Sequence, residues 1–427
     1  MFHEQFKRIR KAAGKTQKEV AEHLQISAQS ISKWEKGEAL PSLEYIPLLA
    51  GFFKCSINSF FSEFKEYDFS ATESDEMLTK DFLELEEKIN SALRYFKLNA
   101  EVKRIVVGAR ITSFIIEMYD GIGISDIEKR KDDILYTIDE ENAFINTRDY
   151  KGNTFGIEIP AENFVPIPLE KALQSREFTS SEYTLPIIIG YDRSNNIIMD
   201  DITKLAHMLI GGCSGSGKSC FIRNVITSLI ARNDPEDVKL LVLDPRICEF
   251  QYLTNSPHLY QPVITEGSDT FKALTDIIDT MNSRYTEFAT HKARSIKEYN
   301  KITPQKMPRI VIIIDELLDI IIQHPEVEDL IMEIGMKGRG AGIHMIIASQ
   351  CVWDSVFTSL IKANVPTRVS LKVDEAEESM LVLNECGAEK LYMHGDMLYL
   401  PIRHKKPIRL QVPFISEADV INIINKK

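Results

Sequence analysis

Over the first 65 residues, apolar positions recur at helical spacing. Phe6, Ile9, Val20, Ala21, Leu24, Ile26, Ile31 and Trp34 form short runs three to four apart, as a buried helix face requires. This predicts an all-α domain over residues 1–65. The pattern then breaks: Glu66 to Glu76 is polar and acidic, and residues 66–80 read as a linker. Phe82 to Phe96 resumes as an amphipathic helix. Short alternating runs follow at Val102–Val107, Thr112–Met118, Ala143–Asn146 and Ile157–Ile159, the last stopping before Pro160. They predict a small α+β module over residues 81–180. From about Tyr183 onward, apolar runs alternate with helical patterns, as a parallel sheet with right-handed crossovers requires. Residues 181–427 are therefore expected to be an α/β domain with a mainly parallel sheet. No internal repeat or low-complexity tract interrupts this order.

A chain of 427 residues accommodates this multidomain reading. No apolar run approaches a membrane span and no signal-peptide core opens the chain, so a cytoplasmic protein with no membrane span of its own is expected. The six cysteines, Cys55, Cys213, Cys220, Cys248, Cys351 and Cys386, are scattered without a C-x-x-C pair. That suits free thiols in a reducing compartment. Net charge is −12, which argues against coating nucleic acid non-specifically. Residues 1–65 are the exception, with ten Lys/Arg against seven Asp/Glu.

The strongest chemical signal is Gly212-Cys213-Ser214-Gly215-Ser216-Gly217-Lys218-Ser219, a G-x-x-x-x-G-K-S phosphate-binding loop. An apolar strand, Met208-Leu209-Ile210, enters it, and a helix reaching Phe221 to Ala231 leaves it. Backbone N–H groups of such a loop wrap phosphates, and the helix N-terminus favours anions. Lys218 is expected on the β- and γ-phosphates, the Ser219 hydroxyl on Mg²⁺, and Cys220 just behind them. The buried-strand pattern Arg309 to Ile314 ends in Asp315-Glu316, where an α/β sheet places ligand groups. Asp315 would hold Mg²⁺ through water, and Glu316 would polarise the attacking water. A third strand, Ile343 to Ser349, delivers Gln350 to the same edge, where its amide would sense the γ-phosphate. ATP and Mg²⁺ are thus the expected ligands.

In the N-terminal domain, Thr16 and Glu19 are spaced as a capping box. They open a helix that a short turn, Leu24-Gln25-Ile26, separates from a second helix, Ala28 to Glu35. Ser27 caps that second helix and Gly37 closes it. Two short helices so joined form a helix-turn-helix. Ala28, Gln29, Ser30, Ser32 and Lys33 would face the major groove, with Gln29 suited to adenine and Lys33 to a phosphate. Gln17 is placed for the DNA backbone. The wording Ile31-Ser32-Lys33-Trp34-Glu35-Lys36-Gly37 with Leu40-Pro41-Ser42-Leu43 resembles the XRE (Cro-like) helix-turn-helix family, and implies double-stranded DNA as partner.

The α/β domain carries His207-Met208-Leu209-Ile210-Gly211-Gly212, Leu243-Asp244-Pro245-Arg246, Arg284-Tyr285 and Gly340-Ala341-Gly342-Ile343-His344. Leu360 to Arg368, Gly387-Ala388-Glu389-Lys390 and Gly395-Asp396-Met397-Leu398-Tyr399 complete the set. In order and spacing the chain resembles the FtsK/SpoIIIE DNA translocase family from about Leu83 to the C-terminus, the α+β module included. The resemblance implies a RecA-like ATPase assembled as a homo-hexameric ring around duplex DNA, with an arginine acting on the neighbouring subunit's nucleotide. Arg284 and Arg339 are the candidates. Thr358 to Lys362 and the turn Lys390 to His394 resemble the family's channel-facing loops. Two departures remove fixed positive charge: Gln350-Cys351-Val352 stands where relatives carry Gln-Arg-Pro, and His394 where they carry arginine, which makes any charge there pH-dependent. Cell-division relatives also carry N-terminal membrane spans and a C-terminal winged-helix domain, and neither is expected here. The combination predicts an ATP-driven DNA translocase loaded at a site by its helix-turn-helix, as would suit a plasmid, phage or integrative element. An ATP-switched transcriptional or copy-number regulator, and a conjugative coupling protein recruited by membrane partners, are the alternatives.

Overall fold

The computed structural model describes residues 6–7, 9–11, 15–24, 26–36, 41, 45–53, 66–68, 75–108, 110–140, 143–147, 150, 152–160, 166–246, 249–402 and 404–426. Gln25, Gly37, Leu40, Ser42, Leu43, Cys55 and Cys248, singled out above, lie outside them.

The N-terminal unit contains helices Gln17–Leu24, Ala28–Lys36 and Tyr45–Phe53. The predicted apolar positions meet in one core of Phe6, Val20, Ala21, Leu24, Ile31, Trp34 and Leu49. The capping box is present: Thr16 N donates to Glu19 Oε2 at 2.8 Å and Glu19 N to Thr16 Oγ1 at 3.2 Å. Ser27 Oγ accepts from Ser30 N at 3.2 Å and so caps the second helix. Buried Glu35 ties the unit together, pairing with the Arg10 guanidinium and accepting from Gln17 Nε2 at 2.7 Å. Burial opposes its ionisation, but the hydrogen bonds from Arg10 and Gln17 prevail and hold it below the ordinary carboxylate range.

The second unit is a five-stranded sheet, β1 (Glu66–Asp68), β2 (Ala100–Val107), β3 (Ile111–Met118), β4 (Phe144–Asn146) and β5 (Thr154–Pro160), in the order β1-β2-β3-β5-β4. The expected linker is corrected here. Glu66–Asp68 pairs in parallel with β2, and the helix Asp75–Tyr95 begins well before Phe82. Polar composition misled because Glu66–Asp68 is a strand through its pairing with the distant β2, not through its own composition. Ile89, Ala92 and Leu93 of that helix pack on Val102, Phe114, Phe155 and Ile157 of the sheet. Beyond the sheet, Leu169, Ala172 and Phe178, expected within this module, belong instead to the core of the next domain. Leu169 N donates to Phe414 O at 2.8 Å, far along the chain.

The α/β domain is built on nine strands: β6 (Pro186–Tyr191), β7 (Ile197–Asp201), β8 (Met208–Gly211), β9 (Val238–Leu243), β10 (Arg309–Ile314), β11 (Ile343–Ser349), β12 (Thr367–Leu371), β13 (Asp396–Leu400) and β14 (Ile408–Gln411). Their order is β7-β6-β14-β13-β12-β8-β11-β10-β9. The five strands from β12 to β9 are parallel; β13, β14, β6 and β7 pair antiparallel. The continuous apolar runs of the parallel strands divide between two cores. Ile210, Val242, Val311, Ile313 and Ile346 meet Phe221, Val225 and Leu229 of the helix Lys218–Arg232 on one face. Leu209, Leu241, Ile310, Ile312 and Ile347 meet the helices Gly267–Thr290 and Val327–Ala341 on the other. A strand covered on both faces has no position left for a solvated residue.

A buried ionic cluster joins this domain to the α+β module. Glu158 of β5, fully buried, pairs with Arg193 at 2.9 Å and with Arg409 of β14 at 3.2 Å, and Arg409 also holds Asp396 at 2.6 Å. Among the described residues, no helix is long and apolar enough to cross a membrane.

Candidate active site

β10, β11 and β8 are adjacent and parallel, so the residues just past their C-terminal ends share one edge of the sheet. That edge receives the loop Gly212 to Gly217, the pair Asp315-Glu316, and Gln350. Brought together there are Lys218, Asp315, Glu316 and Gln350, which lie far apart in sequence.

The loop is shaped by its glycines. Gly217 has φ +110° at the N-cap of the helix Lys218–Arg232, and a Cβ there would stand 2.8 Å from Gly395 N. The loop is braced by Cys213 N donating to Lys372 O at 2.7 Å, Ser216 Oγ to Cys213 O at 2.7 Å, and Gly395 N to Ser216 O at 2.7 Å. Lys218 folds back onto the loop, donating to Gly212 O and, at 2.9 Å, to Cys213 O. Burial lowers its pKa to about 8 against the pull of Glu316. Ser214 and Gly215 are exposed and Ser219 is half-buried. The Cys220 thiol turns towards Pro413 O at 3.5 Å, which leaves its backbone for the expected place at the nucleotide. Cys213 Sγ lies 4.0 Å from Met393 Sδ.

Asp315 sits among like charges. Burial first, then Glu249, Asp244 and Glu316, raise its pKa to about 7, with Lys218 opposing. Nearby, Asp244 Oδ1 is buried without a hydrogen-bond partner. An acidic group held near neutrality beside an unsatisfied carboxylate oxygen fits a divalent cation. Among the described residues, no three His, Cys, Asp or Glu converge into a direct metal cage. Mg²⁺ keeps water and phosphate oxygens in its shell and takes one or two protein ligands.

Glu316 is fully buried. Its Oε1 accepts from Ser349 Oγ, and Gln350 N donates to both oxygens at 3.2 and 3.0 Å. Arg246 Nη2 stands 3.3 Å from Oε2, while Arg246 Nε donates to Asp319 Oδ2 at 2.7 Å. Thus the backbone N–H of Gln350 meets Glu316, a contact its expected role as an amide sensor did not include. Arg246, Asp319, Ser349, Asp244 and Glu249 were not assigned by sequence. The signal available was position: Asp244 and Arg246 follow β9, beside β10.

Arg284 is corrected as a candidate for action on a neighbour. Its buried guanidinium donates to Ala341 O at 2.7 Å and Pro308 O at 2.8 Å, and burial lowers its pKa to about 10. Arg339 is exposed in the last turn of the helix Val327–Ala341. Thr358 is also corrected as a DNA contact. Its hydroxyl caps the helix Ser359–Asn364 and donates to Glu328 Oε1 at 2.6 Å. Lys362 is half-buried, and Lys390 and His394 are exposed. The Lys390–His394 turn runs into Gly395, against the phosphate loop. In the N-terminal unit, Ala28, Gln29 and Lys33 are exposed and Ser32 is half-buried. Two polar candidates are engaged internally: Gln17 with Glu35, and Ser30 Oγ with Ser27 Oγ at 2.9 Å.

Comparison with known proteins agrees with this arrangement. The FtsK/SpoIIIE family pattern matches residues 168–353, the FtsK alpha domain residues 67–161, and a helix-turn-helix pattern residues 6–60. DNA translocase FtsK of Caldanaerobacter subterraneus subsp. tengcongensis is 38% identical over 345 residues, 80% of this chain and 49% of that protein. DNA translocase SftA of Bacillus subtilis is 34% identical over 343 residues, 79% of this chain and 36% of that protein. The chain thus spans about half or less of the length of these relatives. The pCW3 conjugation coupling protein TcpA, solved in monomer form with ATPgS, superposes with a TM-score of 0.57 at 20% identity. That match covers 80% of this chain and 99% of that one, and shows the shared fold. The matched ranges follow the order of the units described above, and the chain belongs to the FtsK/SpoIIIE family, carrying a helix-turn-helix domain ahead of the family's alpha domain.

Proposed function

We propose that this protein is an ATP-driven translocase of double-stranded DNA that works as a homo-hexameric ring and is loaded at a site by its helix-turn-helix. The observation that carries the reading is the convergence of Lys218, Asp315 and Glu316 at one sheet edge, in a chain whose relatives across the alpha and ATPase domains are named DNA translocases. In this reading Lys218 leaves its loop carbonyls for the β- and γ-phosphates. Ser219 and Asp315 hold Mg²⁺, which when bound neutralises phosphate charge. Glu316 polarises the attacking water and Gln350 reports the γ-phosphate. Arg339 reaches the nucleotide of the adjoining subunit, and Lys362, Lys390 and His394 face the DNA channel. Gln29 and Lys33, exposed on the second helix of the N-terminal domain, read and grip the loading site.

The test is the ATPase rate with and without long duplex DNA, for wild type and Glu316→Gln. Strong stimulation by duplex, abolished in the variant, is expected. A low rate indifferent to DNA refutes translocation and favours an ATP-switched regulator. Replacing Gln29 and Lys33 with alanine is expected to abolish preference for the loading site while leaving stimulation by non-specific duplex intact.

A further inference from the structure

Glu316 is held where it cannot act. Ser349 Oγ donates to its Oε1, the Gln350 N–H is shared between both oxygens, and Arg246 pairs with Oε2 at 3.3 Å. The side chain so held is fully buried, away from water. The general base must therefore move before it can work.

The holding groups are unequal. Ser349 and the Gln350 N–H are neutral donors. Arg246 is charged and pairs with the carboxylate at 3.3 Å, so it is the group that compensates the buried charge. Arg246 is itself fixed by Asp319, which accepts from its Nε at 2.7 Å in the first turn of the helix Leu317–Gln323. It comes from a different strand end, past β9, so it spans from that segment to the Glu316 segment past β10. Lys218, the other nearby cation, is committed to its loop carbonyls.

We propose that Arg246, anchored by Asp319, is a latch that keeps Glu316 in an idle position and so sets the resting ATPase rate. Arg246 is a positioning residue acting through Glu316, and the proposal rests on the function proposed above. Without Arg246, Glu316 becomes a buried carboxylate with no contacting cation, an arrangement proteins do not tolerate cheaply. Its side chain then rotates outward, towards the phosphate loop and water.

The experiment measures kcat and KM for ATP without DNA in the full chain, for wild type, Arg246→Ala, Arg246→Lys and Asp319→Asn. In Arg246→Ala the DNA-free kcat is expected to rise about fivefold, the rate equivalent of about 1 kcal/mol, with KM changed by less than about twofold. The gain from added duplex DNA should shrink in proportion. Arg246→Lys restores a cation and should return kcat towards wild type. Asp319→Asn loosens the latch without touching Glu316 and should raise kcat less. A DNA-free kcat that falls or stays level in Arg246→Ala, or a change in KM alone, overturns the latch. Should Arg246→Ala fail to fold, Asp319→Asn decides: no rise in its kcat overturns the latch. Wild type without any Glu316-dependent turnover instead overturns the proposed function, and the latch falls with it.

Discussion

Asp315 should destabilise the protein that needs it. Its carboxyl is buried beside Glu249, Asp244 and Glu316, and its pKa moves from 3.8 to about 7. At 1.36 kcal/mol per pKa unit, ionising it in the folded state costs about 4 kcal/mol. The sign follows from linkage. A carboxyl whose folded pKa is raised contributes no penalty below pH 3.8, where both states are protonated. The folded protein then loses stability steadily as pH rises to about 7, and the loss is constant above. Asp315→Asn removes the charge while keeping the shape. At pH 8 the variant should be more stable by about 2–4 kcal/mol, allowing for relaxation around the charge, a rise in Tm of about 5–10 °C for a domain of this size. The assay is calorimetry at pH 8, 6 and 4.5, following the transition that an ATP analogue shifts. The gain should shrink at each step down in pH. Mg²⁺ with nucleotide should raise the Tm of wild type and narrow the gap from the other side. A variant that is less stable than wild type at pH 8, or whose gain does not decline towards pH 4.5, refutes the assignment of Asp315 as a strained acid.

The two arginine candidates separate cleanly. Arg284→Ala strips one buried and one part-buried carbonyl of their donor and is expected to cost about 2–4 kcal/mol of stability, seen as a lower urea midpoint. Arg339→Ala should leave that midpoint unchanged yet depress ATPase when mixed into wild-type protein; an unaffected mixture would remove it from the catalytic assignment. Gly342 closes the helix Val327–Ala341 at φ +76°, and a Cβ there would meet Ile296 Cδ1 at 2.5 Å. Gly342→Ala should therefore destabilise by about 1–3 kcal/mol, and a neutral result in thermal unfolding would contradict the strain.

Much of this protein was legible one residue at a time. The strands Arg309–Ile314 and Ile343–Ser349 were read to the residue because strands buried on both faces are mostly apolar and leave no solvated position. The phosphate loop was legible because Gly212, Gly215 and Gly217 all take positive φ, a conformation that other residues rarely adopt. The helix caps were visible because the Thr16–Glu19 capping box and the Ser27 cap each act within one turn. What sequence missed is what depends on neighbours distant in the chain. The strand Glu66–Asp68 exists through its pairing with β2, and its acidic composition hid it. Leu169, Ala172 and Phe178 were given to the wrong domain because only packing against segments such as Phe414 decides their core. Arg284 and Thr358 looked like exposed contacts because a motif states residue type, whereas burial and partners come from segments 24 to 57 positions away. The grip of Arg246 on Glu316 is the same kind of fact. Sequence determined which chemistry the chain carries, because that chemistry is local in residue type and spacing. Only the tertiary structure decided which charges face one another, and so which of those groups are poised and which are held.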